Sequence, residues 1–146
     1  MKLQLLIVAS LLAVAVVDLV HSGTQSYRVK GQLKCGSQPA AQVRVKLIDD
    51  DDGPNPDDLL DQGYTDGQGR FDLSGDTSEI TRIDPTLKIY HDCNDGIKPC
   101  QRRWKFELPN KYINSGANPT KMIDIGTWNL EAELPDEERD CIHYWF

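Results

Sequence analysis

Tyr27-Arg28-Val29-Lys30-Gly31-Gln32-Leu33-Lys34-Cys35 alternates along its whole length, odd positions apolar or small and even positions polar. Period two is the mark of a strand that buries one face and wets the other. The rhythm returns in residues 42–47, 70–73, 87–93 and 103–108, and a further strand is expected over 122–130. A short edge strand over 59–65 brings the expected total to about seven. Strands of this kind must bury their apolar rows against each other, and two packed antiparallel sheets do so with the fewest elements. An all-β sandwich is therefore predicted. No segment keeps a helical period, and residues 57–61 are long enough for one turn at most.

The connections carry turn chemistry. Gly36-Ser37-Gln38-Pro39 and Asp66-Gly67-Gln68-Gly69 are rich in residues that tolerate tight turns, and Pro85 suits the first position of a strand. Residues 49–58 form a proline-containing acidic loop, and residues 131–140 an acidic stretch expected to be weakly ordered until Cys141 ties it down.

The beginning of the chain is a different kind of sequence. Lys2 precedes an apolar run over residues 3–17, Asp18 breaks it, and Val20-His21-Ser22 offers a peptidase site. This pattern predicts a secretory signal peptide over residues 1–22 and a secreted, extracellular product. No stretch reaches the ~20 apolar residues that a transmembrane helix needs, so no transmembrane segment is expected. Cleavage leaves about 124 residues, a single-domain length: a folded domain over 23–130 and an acidic tail over 131–146. Lys2 and Asp18 cancel, so the net charge stays at −7. An acidic chain is a poor partner for nucleic acid, whose binding requires cations to neutralise phosphates.

Residue spacing bears on several chemistries. An even number of cysteines in an exported small domain, here Cys35, Cys93, Cys100 and Cys141, implies two disulfides. A metal site using His91, Cys93 and Cys100 is the competing reading, and the absence of a Cys-x-x-Cys pair counts against it. In the loop 49–58 a calcium template would place Ile48 at its first ligand and Leu59 at its last, and so fails. A weaker site through Asp50, Asp52 and Asp57, which would make the chain a calcium-dependent cell-surface interaction protein, is the remaining calcium possibility, beside a merely solvated loop. His91 shares the parity of Leu87 and Ile89, which suits a buried neutral imidazole or, less simply, a base. There is no nucleophile elbow and no phosphate-binding glycine loop, and Pro119 spoils Asn118-Pro119-Thr120 as a glycosylation site. No catalytic residue, metal or cofactor is assigned.

The ordered series Val29-Lys30-Gly31-Gln32-Leu33-Lys34-Cys35-Gly36, Val43-Arg44-Val45-Lys46-Leu47 and Thr65-Asp66-Gly67-Gln68-Gly69-Arg70-Phe71 resembles the nematode transthyretin-like family. His91-Asp92-Cys93-Asn94, Cys100, Pro109-Asn110-Lys111-Tyr112-Ile113 and Ile123-Asp124-Ile125-Gly126-Thr127-Trp128-Asn129-Leu130 continue the match over nearly the whole mature chain. The resemblance implies a secreted seven-stranded sandwich with a largely undefined role. More distantly it extends to hydroxyisourate hydrolases, which end in Tyr-Arg-Gly-Ser and use paired histidines with an arginine. This chain ends His143-Tyr144-Trp145-Phe146, so an enzyme of that type is the lesser alternative to a non-enzymatic module.

Two further expectations follow from the resemblance. In the transthyretin arrangement the second, fifth and sixth strands are neighbours, so Arg44, Lys46, Lys88, Tyr90, Arg103 and Lys105 share an outer face. Such a face suits an anionic lipid headgroup, an acidic glycan or an acidic protein partner. Alternatively its charges only keep the sheet soluble, paired with Asp92 and Glu107. For the disulfides, the Asp95-Gly96 turn suggests a hairpin bridge Cys93–Cys100, and the first and last strands, parallel neighbours in that fold, then favour Cys35–Cys141. Cys35–Cys93 with Cys100–Cys141, and Cys35–Cys100 with Cys93–Cys141, remain open.

Overall fold

Residues 23–51, 53–54 and 56–142 are described by the computed structural model; the predicted signal peptide lies outside them. Seven strands of six or more residues are present: β1 (Gly23–Cys35), β3 (Arg44–Asp49), β4 (Asp58–Tyr64), β5 (Arg70–Glu79), β6 (Pro85–His91), β7 (Gln101–Glu107) and β9 (Ile123–Asn129). Three short ones, β2 (Gln38–Pro39), β8 (Asn114–Ser115) and β10 (Glu138–Asp140), complete two five-stranded sheets. In the first, β1 pairs antiparallel with β2, β5 and β8 and parallel with β9. The second has the order β10-β7-β6-β3-β4. The β-sandwich expected from alternation is the fold observed, and β3, β6 and β7 are the neighbours the resemblance implied. The helical turn considered for residues 57–61 is absent, because residues 58–61 pair with β3 instead.

The inward rows meet between the sheets. Tyr27, Val29 and Leu33 from β1 pack with Val45 and Leu47, Phe71 and Leu73, Leu87 and Ile89, and Trp104. Each such side chain contributes roughly 1.5–3 kcal/mol through burial. Two glycines mark close approaches. A Cβ on Gly31 would lie 2.5 Å from the Ile125 side chain, where the β1–β9 register slips between Lys30 and Gln32. A Cβ on Gly75 would lie 2.1 Å from the Leu60 carbonyl oxygen, because β4 and β5 close one side of the sandwich, where the Ser74 N–H donates to Asp61 at 2.9 Å.

The disulfides differ from the pairing favoured in the sequence. The bridges are Cys35–Cys93 and Cys100–Cys141, not Cys93–Cys100 and Cys35–Cys141. Cys35 and Cys93 end β1 and lie just past β6, strands of opposite sheets that finish at the same end of the sandwich, and their Cα atoms are 5.7 Å apart. Cys100 adopts a left-handed φ of 66° and bonds into the tail. With separations of 58 and 41 residues, chain entropy makes the bridges comparable, each worth about 4 kcal/mol in that account.

The tail is also ordered further than expected. It leaves β9 at Leu130, whose N–H donates to the Lys34 carbonyl at 2.8 Å, and crosses to pair β10 with β7. Because Gly75 faces a backbone oxygen that cannot move aside cheaply, Gly75→Ala should destabilise by about 1–3 kcal/mol. Gly67→Ala, with nothing within 4 Å, should change stability by less than about 0.5 kcal/mol. Urea denaturation of both variants measures the contrast.

Candidate functional site

Cross-strand register puts the outward residues of the second sheet into rows. One row runs Tyr64, Arg44, Tyr90, Arg103, Glu138 across β4, β3, β6, β7 and β10. The next runs Gln62, Lys46, Lys88, Lys105. Three lysines directly abreast repel one another, and like charges opposite each other destabilise a sheet. The arrangement persists because acids are brought to it from both flanks.

From the loop 49–58, Asp57 pairs with Lys88 at 2.8 Å and Asp50 with Lys105 at 2.6 Å. Burial works against the Asp57 carboxylate, but Lys88 beside it outweighs this and holds it below its ordinary value. From the tail, Glu138 and Asp140 both reach the Arg103 guanidinium. Lys46 and Tyr90 are buried, the Lys46 ammonium 5.4 Å from the Tyr90 ring centre. Burial, then the Arg44 and Lys88 charges, push Lys46 below its ordinary value, while Asp140 pulls it back. Burial lifts the Tyr90 phenol to about 12. Arg44 lies over the Tyr64 ring and donates to the Tyr64 hydroxyl, at 2.8 Å, and to Gln62. The six residues singled out in the sequence are thus brought together, but most of their charge is already met within the chain. The predicted pairing with Asp92 does not form; Asp92 accepts instead from Gln101.

Two donors on this face are unmet. Among the described residues, Arg44 Nε and Arg103 Nε are buried and have no hydrogen-bond partner. They stand on either side of Tyr90 in one row, with strands at about 4.8 Å spacing.

Beneath the face lies a feature the sequence reading missed. Arg102, 5% exposed, holds Glu137 through two bonds, Nε to Oε1 at 2.5 Å and Nη2 to Oε2 at 2.7 Å. Its remaining hydrogens go to the carbonyls of Cys93, Leu130 and Ala132 at 2.8, 3.0 and 2.6 Å. Trp104 Nε1–H donates to the same Glu137 at 2.7 Å. The guanidinium, joined by the indole, holds the Glu137 carboxyl down at about 2. Parity was the available signal: Arg102 alternates with Trp104 and Phe106, and a buried arginine requires a carboxylate.

His91 is 2% exposed and edge-on to Trp104, with ring centres 5.4 Å apart. Its Nδ1 accepts the Cys93 N–H at 3.1 Å, so the proton resides on Nε2. Burial, then the nearby Arg102 charge, pushes it down to about 4. It is a neutral core group, and His21 and His143 lie outside the described residues. Asp50 and Asp57, which meet each other, are paired with Lys105 and Lys88, while Asp49, Asp51 and Glu79 bring oxygens within 4.8 Å of one another. One oxygen from each gives three of the six to eight that Ca²⁺ takes; Asp52 lies outside the described residues. No helix of the described residues is long and apolar enough to cross a membrane.

Comparison with known proteins places these features in company. A family model, that of the transthyretin-like family, matches residues 30–109. Transthyretin-like protein 33 of Caenorhabditis elegans is 55% identical over 120 residues, covering 82% of this chain and 84% of its own. Transthyretin-like protein 5 of the same organism is 51% identical over 120 residues, with 82% and 86% covered. Transthyretin-like protein 16, 34% identical over 136 residues, covers 93% and 97%.

Acid should weaken this structure in two stages. His91 falls from 6.5 to about 4 on folding, so below pH 6.5 the unfolded chain takes up a proton that the folded one refuses. Stability therefore declines from about pH 6.5 to 4. Glu137 falls from 4.5 to about 2, so its contribution is complete above 4.5 and lost as the pH drops towards 2. Glu137→Gln should flatten the second decline and leave the first, in urea midpoints measured across that range. An unchanged slope below pH 4.5 would contradict the clasp.

Proposed function

The chain belongs to the transthyretin-like family, and from that premise we propose that it works outside the cell as a non-catalytic module that binds anionic partners. Its contact surface is the outer face of the second sheet. The observation that carries the reading is the row Arg44, Tyr90, Arg103 within a field of five cations, in which Arg44 meets no carboxylate among the described residues. A sulfate, phosphate or carboxylate group can approach the accessible part of the Arg44 guanidinium, which meets only the neutral Tyr64 and Gln62 among the described residues, and Arg is the side chain best shaped for such groups. The secretory leader expected in the sequence puts this face in extracellular fluid.

A non-catalytic role agrees with the names of the relatives, transthyretin-like protein 33 and transthyretin-like protein 5, which mention no enzymatic activity. It also agrees with His91, which is neutral, enclosed and engaged through Nδ1 with the backbone.

The ligand source is distinguished by two probes, immobilised heparin for acidic glycans and vesicles containing phosphatidylserine for lipid headgroups. Arg44→Glu with Lys105→Glu should abolish retention on whichever probe holds the wild type, with the melting temperature as the control for folding. Wild-type retention should weaken as salt rises from 0.05 to 0.3 M, since the screening length then shrinks below about 10 Å. Equal retention of wild type and variant on both probes would make this face a solvated surface only.

A further inference from the structure

Alternation runs through the tail as it does through the sandwich. Residues 137 and 139 turn to one side, Glu137 into Arg102 and Arg139 onto Asp95 and the carbonyls of Pro99 and Cys100. Residues 138 and 140 turn to the other side and reach Arg103 on the cation face. One set fastens the strand; the other delivers two carboxylates to the site.

The delivery is uneven. Arg103 receives two carboxylates, both on its terminal nitrogens, while its Nε is left without a partner among the described residues. Arg44, one row position beyond Tyr90, has only neutral partners in Tyr64 and Gln62 among those residues. The negative field of Asp140 extends to Lys46 and Tyr90. The tail therefore supplies carboxylates to the Arg103 end of the site, while none reaches the Arg44 end among the described residues.

We infer that β10 is a resident competitor: Glu138 and Asp140 occupy in cis the place that an external anion takes, and so set the affinity of the site. The inference rests on the binding reading above and adds its regulation. A group tethered this closely acts at an effective concentration in the millimolar range or above. The Cys100–Cys141 bridge just beyond β10 keeps it there. An external anion must displace the two carboxylates from Arg103 without releasing Glu137, whose clasp is separate.

The test uses the full, oxidised chain and a heparin oligosaccharide or phosphatidylserine vesicles, with binding measured at low salt. Glu138→Gln with Asp140→Asn removes the competing charges and keeps the side-chain shapes. Asp76→Asn with Asp136→Asn removes the same net charge elsewhere. The first pair should bind about two- to tenfold more tightly than wild type, as expected for the loss of two surface ion pairs, and the control pair should not. Glu138 is 66% exposed, so Glu138→Gln alone repeats the test with little demand on folding. Binding by the first pair where wild type shows none would also support the inference. Equal tightening by both pairs, or wild-type binding that the first pair leaves unchanged, would overturn the competitor and spare the binding site. Failure of every variant and of wild type to bind either probe would overturn both.

Discussion

Arg102 uses all five of its N–H hydrogens inside the protein, and most of the molecule's architecture at one end passes through that guanidinium. It ties together the carbonyl of Cys93 beyond β6, those of Leu130 and Ala132 beyond β9, and the Glu137 carboxylate ahead of β10. A buried ion pair is a weak source of net stability but a strong constraint, because losing one partner leaves the other charged and unpaired, at about 3–5 kcal/mol. Here the constraint is positional. With Glu137 fixed against Arg102 and Trp104, the next residues must run alongside β7, and Glu138 and Asp140 must face Arg103. The two acids that the tail lends to the cation face, Glu138 and Asp140, are there because the core has its arginine.

The face itself is a compromise between sheet chemistry and charge. Lys46, Lys88 and Lys105 stand abreast on adjacent strands, where like charges repel one another. Tyr90 offsets part of the repulsion with its ring against Lys46, and the flanking acids offset more. The β7 edge, which would otherwise invite another strand, is covered by β10 over Gln101 to Arg103. At the β9 edge local side chains take up backbone groups: Asp124 accepts the Gly126 N–H at 2.9 Å, and Trp128 donates to the Ile125 carbonyl at 2.8 Å.

Alternation made the sandwich legible before any coordinates, because period two is a local property and each strand states it independently. Parity gave the outward side of each strand, and the family resemblance, which made β3, β6 and β7 neighbours, put Arg44, Lys46, Lys88, Tyr90, Arg103 and Lys105 on one face, where the register places them. What alternation could not supply were partners distant in sequence. Asp50 and Asp57 read as a solvated or calcium-holding loop, since nothing local says that the loop folds back onto Lys105 and Lys88. The disulfides failed for a related reason. A short spacing with Asp95-Gly96 in the middle argues for a hairpin, but the inward parity of Cys35 and Cys93 brings them together across the sandwich. Arg102 shares the inward parity of Trp104 and Phe106, but alternation is unambiguous only from Arg103 onward, while the strand itself starts at Gln101.

The central claim is that the Arg102–Glu137 pair positions the tail and that the tail, in turn, conditions the face. Amide hydrogen exchange on oxidised Glu137→Gln beside wild type at neutral pH addresses it most directly. The account predicts that protection falls at residues 101–103 and 138–140 while the interiors of β1, β3 and β6 keep theirs. Undiminished protection at residues 138–140, or an equal loss throughout both sheets, would contradict it.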